Sequence, residues 1–424
     1  MNTKLFHQIK NEWRSNMWLI AELLLVSCVL WFLVDGLYVK AKIYTQPRGF
    51  DISHCYLITI GTLSSNDVGF VNEDTVQMNK DYKEMMDRLA RRSEVEAVSL
   101  SQNSYPYNGS NASSGPIKYG RMANTGNSLR RTVTPDFFRV FRYEGARGET
   151  PEQLSKLLSS KDVCIASDNI FQEYGVSMKS LISKKIDIPM SVLWDTKNDN
   201  SYHTVAASIK PVRYDDFYDI TKHSAATVVI LAPEDSYIDM NELCVRVKAD
   251  KDVKFMENLW HDSDKQFRVG NIYISNIESF SDIRKDYSQD QVNDVRNYLF
   301  GVGFLMFNIF LGLLGTFWFR TQQRRSEIAL FKALGATNRS VFGREIAEGL
   351  LLLTIATIPA VIIDWNLAFA ELTPYLEGYH LEASRFIITV VITWLLIALM
   401  IVLGNWLPAN KAVQVQPAEA LHEE

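Results

Sequence analysis

The stretch that decides the fold is residues 299–319, which read LFGVGFLMFNIFLGLLGTFWF. A helix needs about 20 apolar residues to cross the hydrocarbon core of a bilayer, and this run has that length. It contains 13 Leu, Ile, Phe and Val residues. At roughly −0.3 to −0.6 kcal/mol each, their insertion gains roughly 4 to 8 kcal/mol, which Asn308 is too weakly polar to cancel. The run predicts a transmembrane helix.

Three further apolar runs lie outside this stretch, so the predicted fold is a membrane protein with four transmembrane α-helices. The predicted spans are residues 18–39, 299–319, 345–363 and 386–407. A buried helix of a large soluble enzyme explains one such run poorly and four hardly at all. The first run is an uncleaved signal anchor, because it is longer than the apolar part of a signal peptide and no small-residue cleavage site follows it.

Basic residues in the short flanking segments set the predicted orientation, because Lys and Arg are enriched on the cytoplasmic side. The segment between the second and third spans is basic, whereas the 364–385 loop contains only Arg385. The basic residues before the first span and between the second and third are Lys4, Lys10, Arg14, Arg320, Arg324, Arg325, Lys332, Arg339 and Arg344. We therefore expect a multi-pass protein of a bacterial inner membrane. The N-terminal helix (1–17), the 320–344 loop and the tail (408–424) lie in the cytoplasm.

Residues 40–298 then form a large extracytoplasmic domain inserted between spans 1 and 2. Short β-rich runs such as CYLITIG and ATVVILA alternate with helical patterns, which predicts an α+β fold. We expect the first span to continue as a helix to about Tyr44, and residues 281–298 to form an uninterrupted helix into the second. These two stalks either transmit movement or tether the domain. The polar segment 101–116 is expected to be a surface loop.

Motifs for catalysis are missing from the sequence. The dipeptide Gly-Lys of a phosphate-binding loop does not occur, there is no HExxH, and the seven histidines have no ligand spacing. We therefore expect no enzyme activity, no cofactor and no metal site in this chain. The net charge of −5 gives no indication of a nucleic-acid partner. One disulfide among Cys55, Cys164 and Cys244 and three buried free thiols remain alternatives.

Four carboxylates lie within or beside the predicted spans: Glu22, Asp35, Glu345 and Glu348. A charge inside a membrane is by default a functional hypothesis, here a proton or ion pathway. These residues lie near the ends of the spans, however, so we favour helix-end residues or partners between helices.

The segment that joins spans 2 and 3 begins RRSEIALFKALGA at Arg324. This pattern, R-x-x-E-I-x-L-x-K-A-L-G-A, resembles the loop after the second span of FtsX-like permeases, as does Glu348 at the start of the next span. Pro408-Ala409 and the PAEAL stretch at 417–421 resemble the end of that family. In the outer domain, VTPDFFRVF and DVCIASDNIFQEYG resemble the MacB-type periplasmic domain more weakly. Unlike many members, the third span here is poor in glycine and contains Pro359.

The resemblance implies the permease subunit of a MacB-type ABC transporter, which couples ATP hydrolysis in a separate chain to movement of its periplasmic domain. The implied partners are a dimer of cytoplasmic ABC ATPase subunits, a second permease copy or a related permease, and in export systems a periplasmic adaptor and an outer-membrane channel. Alternatives within the family are a lipoprotein-releasing permease and an FtsX-like regulator of a periplasmic partner such as a cell-wall hydrolase. The implied ATPase-coupling residues are Glu327, Ile328, Leu330, Phe331, Lys332, Ala333, Leu334, Gly335 and Ala336.

The residues of this segment indicate a short amphipathic helix. Ile328, Phe331 and Leu334 fall on one face at i, i+3 and i+6, a stripe that can enter a groove on a partner. Gly335 suits the left-handed position that ends a helix, and Thr337 or Asn338 can cap the next one. The alternative is a helix that lies in the lipid interface, aided by Arg324 and Arg325.

Overall fold

The structure is a computed structural model that describes residues 13–109, 113–124, 128–189, 201–213, 215–218, 226–373 and 382–414. Most of the predicted N-terminal helix (1–17) and the PAEAL stretch at 417–421 lie outside these residues. The chain divides into two compact units. The α/β unit comprises residues 43–290. The membrane unit comprises the residues up to 42 and those from 291 onward.

Ten α-helices lie in the described residues, and four of them are long and apolar enough to cross a membrane. These four are α1, α7, α9 and α10, and the large α/β region falls between the first and second of them, which confirms the predicted membrane fold. The helices are α1 (Trp13–Tyr44), α2 (Thr75–Ala90), α3 (Phe137–Val140), α4 (Pro151–Leu157), α5 (Phe255–Gln266), α6 (Phe280–Tyr287), α7 (Gln289–Gln323), α8 (Arg325–Ala333), α9 (Asn338–Phe369) and α10 (Ala383–Gln414).

The ends of these helices differ from the predictions at two places. Helix α1 ends at Tyr44, as its sequence predicts, but the predicted helix over 281–298 is broken at Ser288 between α6 and α7. The backbone N–H of Ser288 caps α6 by bonding the carbonyls of Arg284 and Asp286. Helix α9 continues to Phe369, beyond the apolar run, so that Asp364 belongs to the helix and not to the following loop.

The membrane unit is held by apolar contacts among its four long helices and by buried ion pairs between them. Its core contains Leu30 of α1, Leu313 of α7, Leu352 of α9 and Ile401 of α10. Arg385 of α10 makes a bidentate, buried ion pair with Asp35 of α1. A buried pair of this geometry fixes one helix beside the other, because separating the partners would leave a charge without compensation.

The α/β unit is built on one mixed sheet of twelve strands within the described residues. The strand order is β12-β1-β11-β2-β6-β10-β7-β9-β8-β4-β5, with β3 on β6; only β6–β10 and β7–β9 are parallel. The strands are β1 (Cys55–Thr62), β2 (Val95–Gln102), β3 (Ser113–Ser114), β4 (Lys118–Tyr119), β5 (Met122–Ala123), β6 (Ser128–Val133), β7 (Val163–Ser167), β8 (Lys185–Asp187), β9 (Tyr202–Ile209), β10 (Thr227–Leu231), β11 (Glu242–Val247) and β12 (Ile272–Ser279).

Both faces of the central strands are covered. Along β11, Leu243 and Val245 share a core with α2 and α5, whereas Cys244 belongs to the opposite core with Phe137 of α3. Successive side chains of a strand point to opposite faces, so a strand buried on both sides reads as a continuous apolar run. The apolar runs CYLITIG and ATVVILA, on which the predicted α+β fold depends, lie at β1 and β10.

The three cysteines of this unit are buried free thiols. Cys55 and Cys244 belong to one core and Cys164 to another. Burial raises the pKa of Cys55 to about 12, so this group remains a neutral thiol at physiological pH.

The place where the chain enters and leaves the α/β unit is organised around Asp216. Its carboxylate accepts hydrogen bonds from Arg48 (2.8 Å), Arg284 (2.5 Å) and the hydroxyl of Tyr107 (3.0 Å). Arg213 bonds both the carbonyl of Ile43 (2.7 Å) and that of Asp216 (3.0 Å). The segment after α1 and helix α6 are thus tied to one buried carboxylate. Since Tyr107 and its neighbour Asn108 are buried, the 101–116 segment is only in part the surface loop that was predicted.

Candidate functional site in the segment between the second and third membrane helices

The connecting segment (residues 320–348) joins α7 to α9 through the short helix α8 and a tight turn. Helix α8 ends in a Schellman motif, in which Ala336 N–H bonds Phe331 O (2.9 Å) and Gly335 N–H bonds Lys332 O (3.0 Å). This motif requires a left-handed residue, and Gly335 has φ of +93° as its sequence position predicts. Glycine reaches this conformation without a steric penalty from a Cβ.

Helix α9 begins immediately after the turn. Thr337 is its N-cap, with extended backbone angles, and its hydroxyl accepts from Ser340 N–H. The predicted choice between Thr337 and Asn338 is therefore settled in favour of Thr337. Two residues, Gly335 and Ala336, lie between the C-cap of α8 at Leu334 and the N-cap of α9 at Thr337. The direction of α8 relative to α9 is therefore fixed by the backbone geometry of this short turn.

A buried ion-pair cluster holds the two ends of the connecting segment together. Glu348 of α9 accepts from Arg320 of α7 (3.1 Å) and from Arg324 (2.7 and 3.3 Å). All three side chains are largely removed from solvent. Glu348, which the sequence places at the start of the third span, is thus the common acceptor for two arginines of the basic segment before it.

A second, more exposed contact lies on the other side of α8. Arg344 of α9 approaches Glu327 of α8 (3.4 Å), and its guanidinium carbon lies 4.5 Å from the centroid of the Phe331 ring. Together with Arg324 and Glu345 these residues line a cavity of about 460 Å³ that includes its open side. A cation over an aromatic face contributes about 0.5–1 kcal/mol at an exposed site, so this contact supports the position of α8 less strongly than Glu348 does.

The apolar residues of α8 divide between its own fold and the surface. Ile328 is 4% exposed and packs against Val341 of α9, so it is not available to a partner in this conformation. Leu334 and Leu330 are 77% and 50% exposed. The predicted stripe of Ile328, Phe331 and Leu334 therefore presents mainly Leu334, and Leu330 joins it at the surface.

The other residues predicted for this site lie around those leucines. Ala333 and Gly335 are exposed at the end of the helix, whereas Lys332, Ala336, Glu327 and Phe331 are partly exposed. The structure thus brings the predicted residues together on one short helix and turn. The contacts that hold them, through Arg320, Arg324 and Arg344, could be found in the sequence only by pairing basic residues with the acidic residues of the next helix.

Other candidate chemistry is sparse in the described residues. No three His, Cys, Asp or Glu side chains there are grouped so that they could hold a metal ion. Of the four carboxylates near the spans, Asp35 and Glu348 pair with arginines from other helices. That arrangement fits partners between helices better than it fits an ion pathway through those two groups.

Comparison with known families bears on this same region. Residues 299–417 match the family model described as FtsX-like permease C-terminal, which confirms the predicted resemblance for the connecting segment and the three long helices α7, α9 and α10. The curated proteins contain no sequence that matches the chain.

Proposed function

Because residues 299–417 form an FtsX-like permease domain, the type found in ABC-transporter permease subunits, we propose that this chain is the permease of a MacB-type transporter. In this proposal a separate ATPase dimer binds the connecting segment on the cytoplasmic side. ATP-driven movement of that dimer is passed to the extracytoplasmic α/β unit, which acts on the substrate. The chain itself performs no catalysis.

The observation that carries the proposal is the pair of exposed leucines on a rigidly mounted short helix. A partner gains roughly 1.5–3 kcal/mol from each fully buried leucine side chain, and an apolar helix face that enters a groove is a recurrent mode of recognition. Leu330 and Leu334 are exposed, while the opposite side of α8 is packed on α9. Since the chain has no nucleotide-binding motif of its own, an ATPase is the partner that a permease domain requires.

The ion pairs supply the mechanical part of the proposal. A force applied to α8 reaches α7 through Arg324, Glu348 and Arg320, and reaches α9 through the two-residue turn. Helix α7 begins ten residues before its predicted span, and α1 continues for five residues beyond its own. We propose that these extensions carry movement to the α/β unit.

The test is purification of the tagged full chain from membranes of its own cells, followed by ATP hydrolysis and identification of the bound chains. We expect an ABC ATPase to co-purify and to hydrolyse ATP. Leu334→Asp should lose the ATPase, whereas Val253→Asp, at an apolar position 95% exposed in the α/β unit, should retain it. An ATPase bound equally to both variants would rule out docking at Leu334, and no ATPase with the unmodified chain would rule out the transporter assignment.

The substrate distinguishes the forms of this proposal. Crosslinking from the α/β unit in cells should trap a small molecule or peptide, an adaptor and an outer-membrane channel if the system exports. Trapped lipoproteins would identify the releasing form, and a trapped cell-wall hydrolase with no transported substrate would identify the regulatory form.

A further inference from the structure

A small cavity lies within the membrane unit among helices α1, α9 and α10. Its empty volume, with its open side, is about 220 Å³. The polar side chains on its wall are Ser27 of α1, Thr357 and Asp364 of α9, and Thr393 of α10, and apolar side chains complete it. Ser27 and Trp31, which line the cavity from α1, lie well inside the predicted first span, residues 18–39.

Asp364 is the charged group of this cavity, and its surroundings differ from those of Asp35 and Glu348. It is 2% exposed, and its Oδ1 atom has no hydrogen-bond partner. The thiol of Cys28 lies close to this carboxylate. Asp35 and Glu348, by contrast, each bind arginine. A buried carboxylate with neither a cation nor a full set of donors is costly, so it needs a further partner.

The two threonine hydroxyl groups on the wall use their hydrogens within their own helices and keep their lone pairs as acceptors. Thr357 donates its hydrogen to the carbonyl of Leu353, and Thr393 donates to the carbonyl of Thr389, each at 2.8 Å. Their oxygen lone pairs remain for the cavity. Ser27 is 4% exposed, and its hydroxyl has no hydrogen-bond partner. The residues of the wall therefore carry one carboxylate oxygen without a partner and three hydroxyl oxygens.

We propose that this cavity binds one small monovalent cation, either Na⁺ or a proton carried by Asp364. Oxygen ligands suit hard cations, and one positive charge neutralises the single carboxylate, whereas a divalent ion would leave net charge in an apolar surrounding. An ionisable side chain inside a membrane domain is by default a candidate functional site, and ion pathways are among the functions it serves. The inference does not depend on the proposed ATPase partner, since the cavity is formed by other residues than the connecting segment.

The groups that can influence protonation of Asp364 are few. From α1 the Cys28 thiol faces it, and on α10 the facing polar residue, Thr393, does not titrate. The other charged groups of α1, α9 and α10, among them the pair of Asp35 with Arg385 and the cluster of Glu345, Glu348 and its arginines, are not among the residues that line the cavity. Competition between Na⁺ and a proton is therefore expected to be decided at Asp364 itself.

The test uses the full chain in nanodiscs and ²²Na⁺ as the probe, measured at pH 8 and again at pH 5.5. We expect saturable binding of about one Na⁺ per chain that weakens at the lower pH, because the proton competes for the same oxygen. Asp364→Asn should reduce binding to background. Thr393→Val, which keeps shape and charge, should raise the Kd for Na⁺ about tenfold. Glu382→Gln, a carboxylate outside the cavity, should leave binding unchanged.

Infrared difference spectra provide the second arm. If no ²²Na⁺ binds, a carboxylic-acid band that titrates with pH in the unmodified chain and is absent in Asp364→Asn assigns the site to a proton. Thr393→Val keeps this test valid even if Asp364→Asn does not fold, because it should shift the midpoint of that band. Absence of both ²²Na⁺ binding and a titrating band that depends on these residues would overturn the proposal.

Discussion

Replacing Glu348 by Gln should be the most damaging single change in the connecting segment. The carboxylate accepts three contacts, at 3.1, 2.7 and 3.3 Å, from Arg320 and Arg324. Its side chain is 3% exposed, and those of the two arginines are 9% and 14% exposed. Gln keeps the shape and one acceptor, but it removes the only carboxylate that those contacts use.

The magnitude follows from the burial of this cluster. Removing one partner of a buried ion pair typically costs about 3–5 kcal/mol, because the remaining charge is left without compensation in a medium of low dielectric constant. For a unit of this size, 1 kcal/mol corresponds to about 2–4 °C in Tm, so we expect a decrease of about 6–20 °C. Arg324→Gln should cost less by itself, since Arg320 still neutralises Glu348.

Thermal unfolding of the full chain in nanodiscs, followed by tryptophan fluorescence, measures these shifts. A double-mutant cycle of Glu348→Gln and Arg324→Gln should give a coupling free energy of about 1–3 kcal/mol. The exposed Glu382→Gln serves as the matched control and should melt with the unmodified chain. A Glu348→Gln variant that melts within about 2 °C of that control would refute the reasoning, and so would a coupling free energy near zero.

Four further predictions concern other sites. Leu334→Ala should raise the Kd of the ATPase for the nanodisc-embedded chain about 7- to 45-fold without a change in Tm. Full burial of a leucine side chain contributes about 1.5–3 kcal/mol, and Leu334 is 77% exposed and so available for burial by the ATPase. Gly335→Ala should lower the free energy of unfolding by about 1–2 kcal/mol through the strain of a left-handed alanine, whereas Gly335→Asn should lower it less. Asp216→Asn should destabilise the α/β unit by about 3–5 kcal/mol, seen as a lower midpoint in urea. Although burial alone would raise the pKa of Asp168, hydrogen bonds from Ser177 and Lys179 hold that pKa below its ordinary value. The stability that ionised Asp168 contributes to the fold is therefore complete above about pH 3.9, the unfolded-state pKa, and is lost as the pH falls through the folded-state pKa. Over that range the Tm difference between Asp168→Asn and the unmodified chain should shrink.

The parts of the fold that could be predicted are those set by neighbouring residues. The four apolar runs, the end of α1 at Tyr44 and the left-handed turn at Gly335 depend on composition and on the local backbone. The break at Ser288 was missed because the helical spacing of apolar residues continues across it, and a cap is formed there by backbone groups alone.

The residues that could not be predicted are those whose role depends on another helix. The helical spacing places Ile328 and Leu334 on one stripe and so predicts the same exposure for both. Ile328 is buried because Val341 packs against it, whereas Leu334 is exposed. Asp364 was assigned to a loop because a carboxylate ends an apolar run, yet its helix continues for five residues. Its surroundings come from α1 and α10, which are far away along the chain.

The contacts around Asp216 determine where the α/β unit can be cut from the rest of the chain for study by itself. A fragment that starts after Phe50 would lack Arg48, which binds Asp216, and the carbonyl of Ile43, which binds Arg213. A fragment that stops before Phe280 would lack Arg284 as well and would expose an apolar face of the core. Residues 43–290 keep all of these contacts and are therefore the piece expected to fold as a recombinant domain by itself.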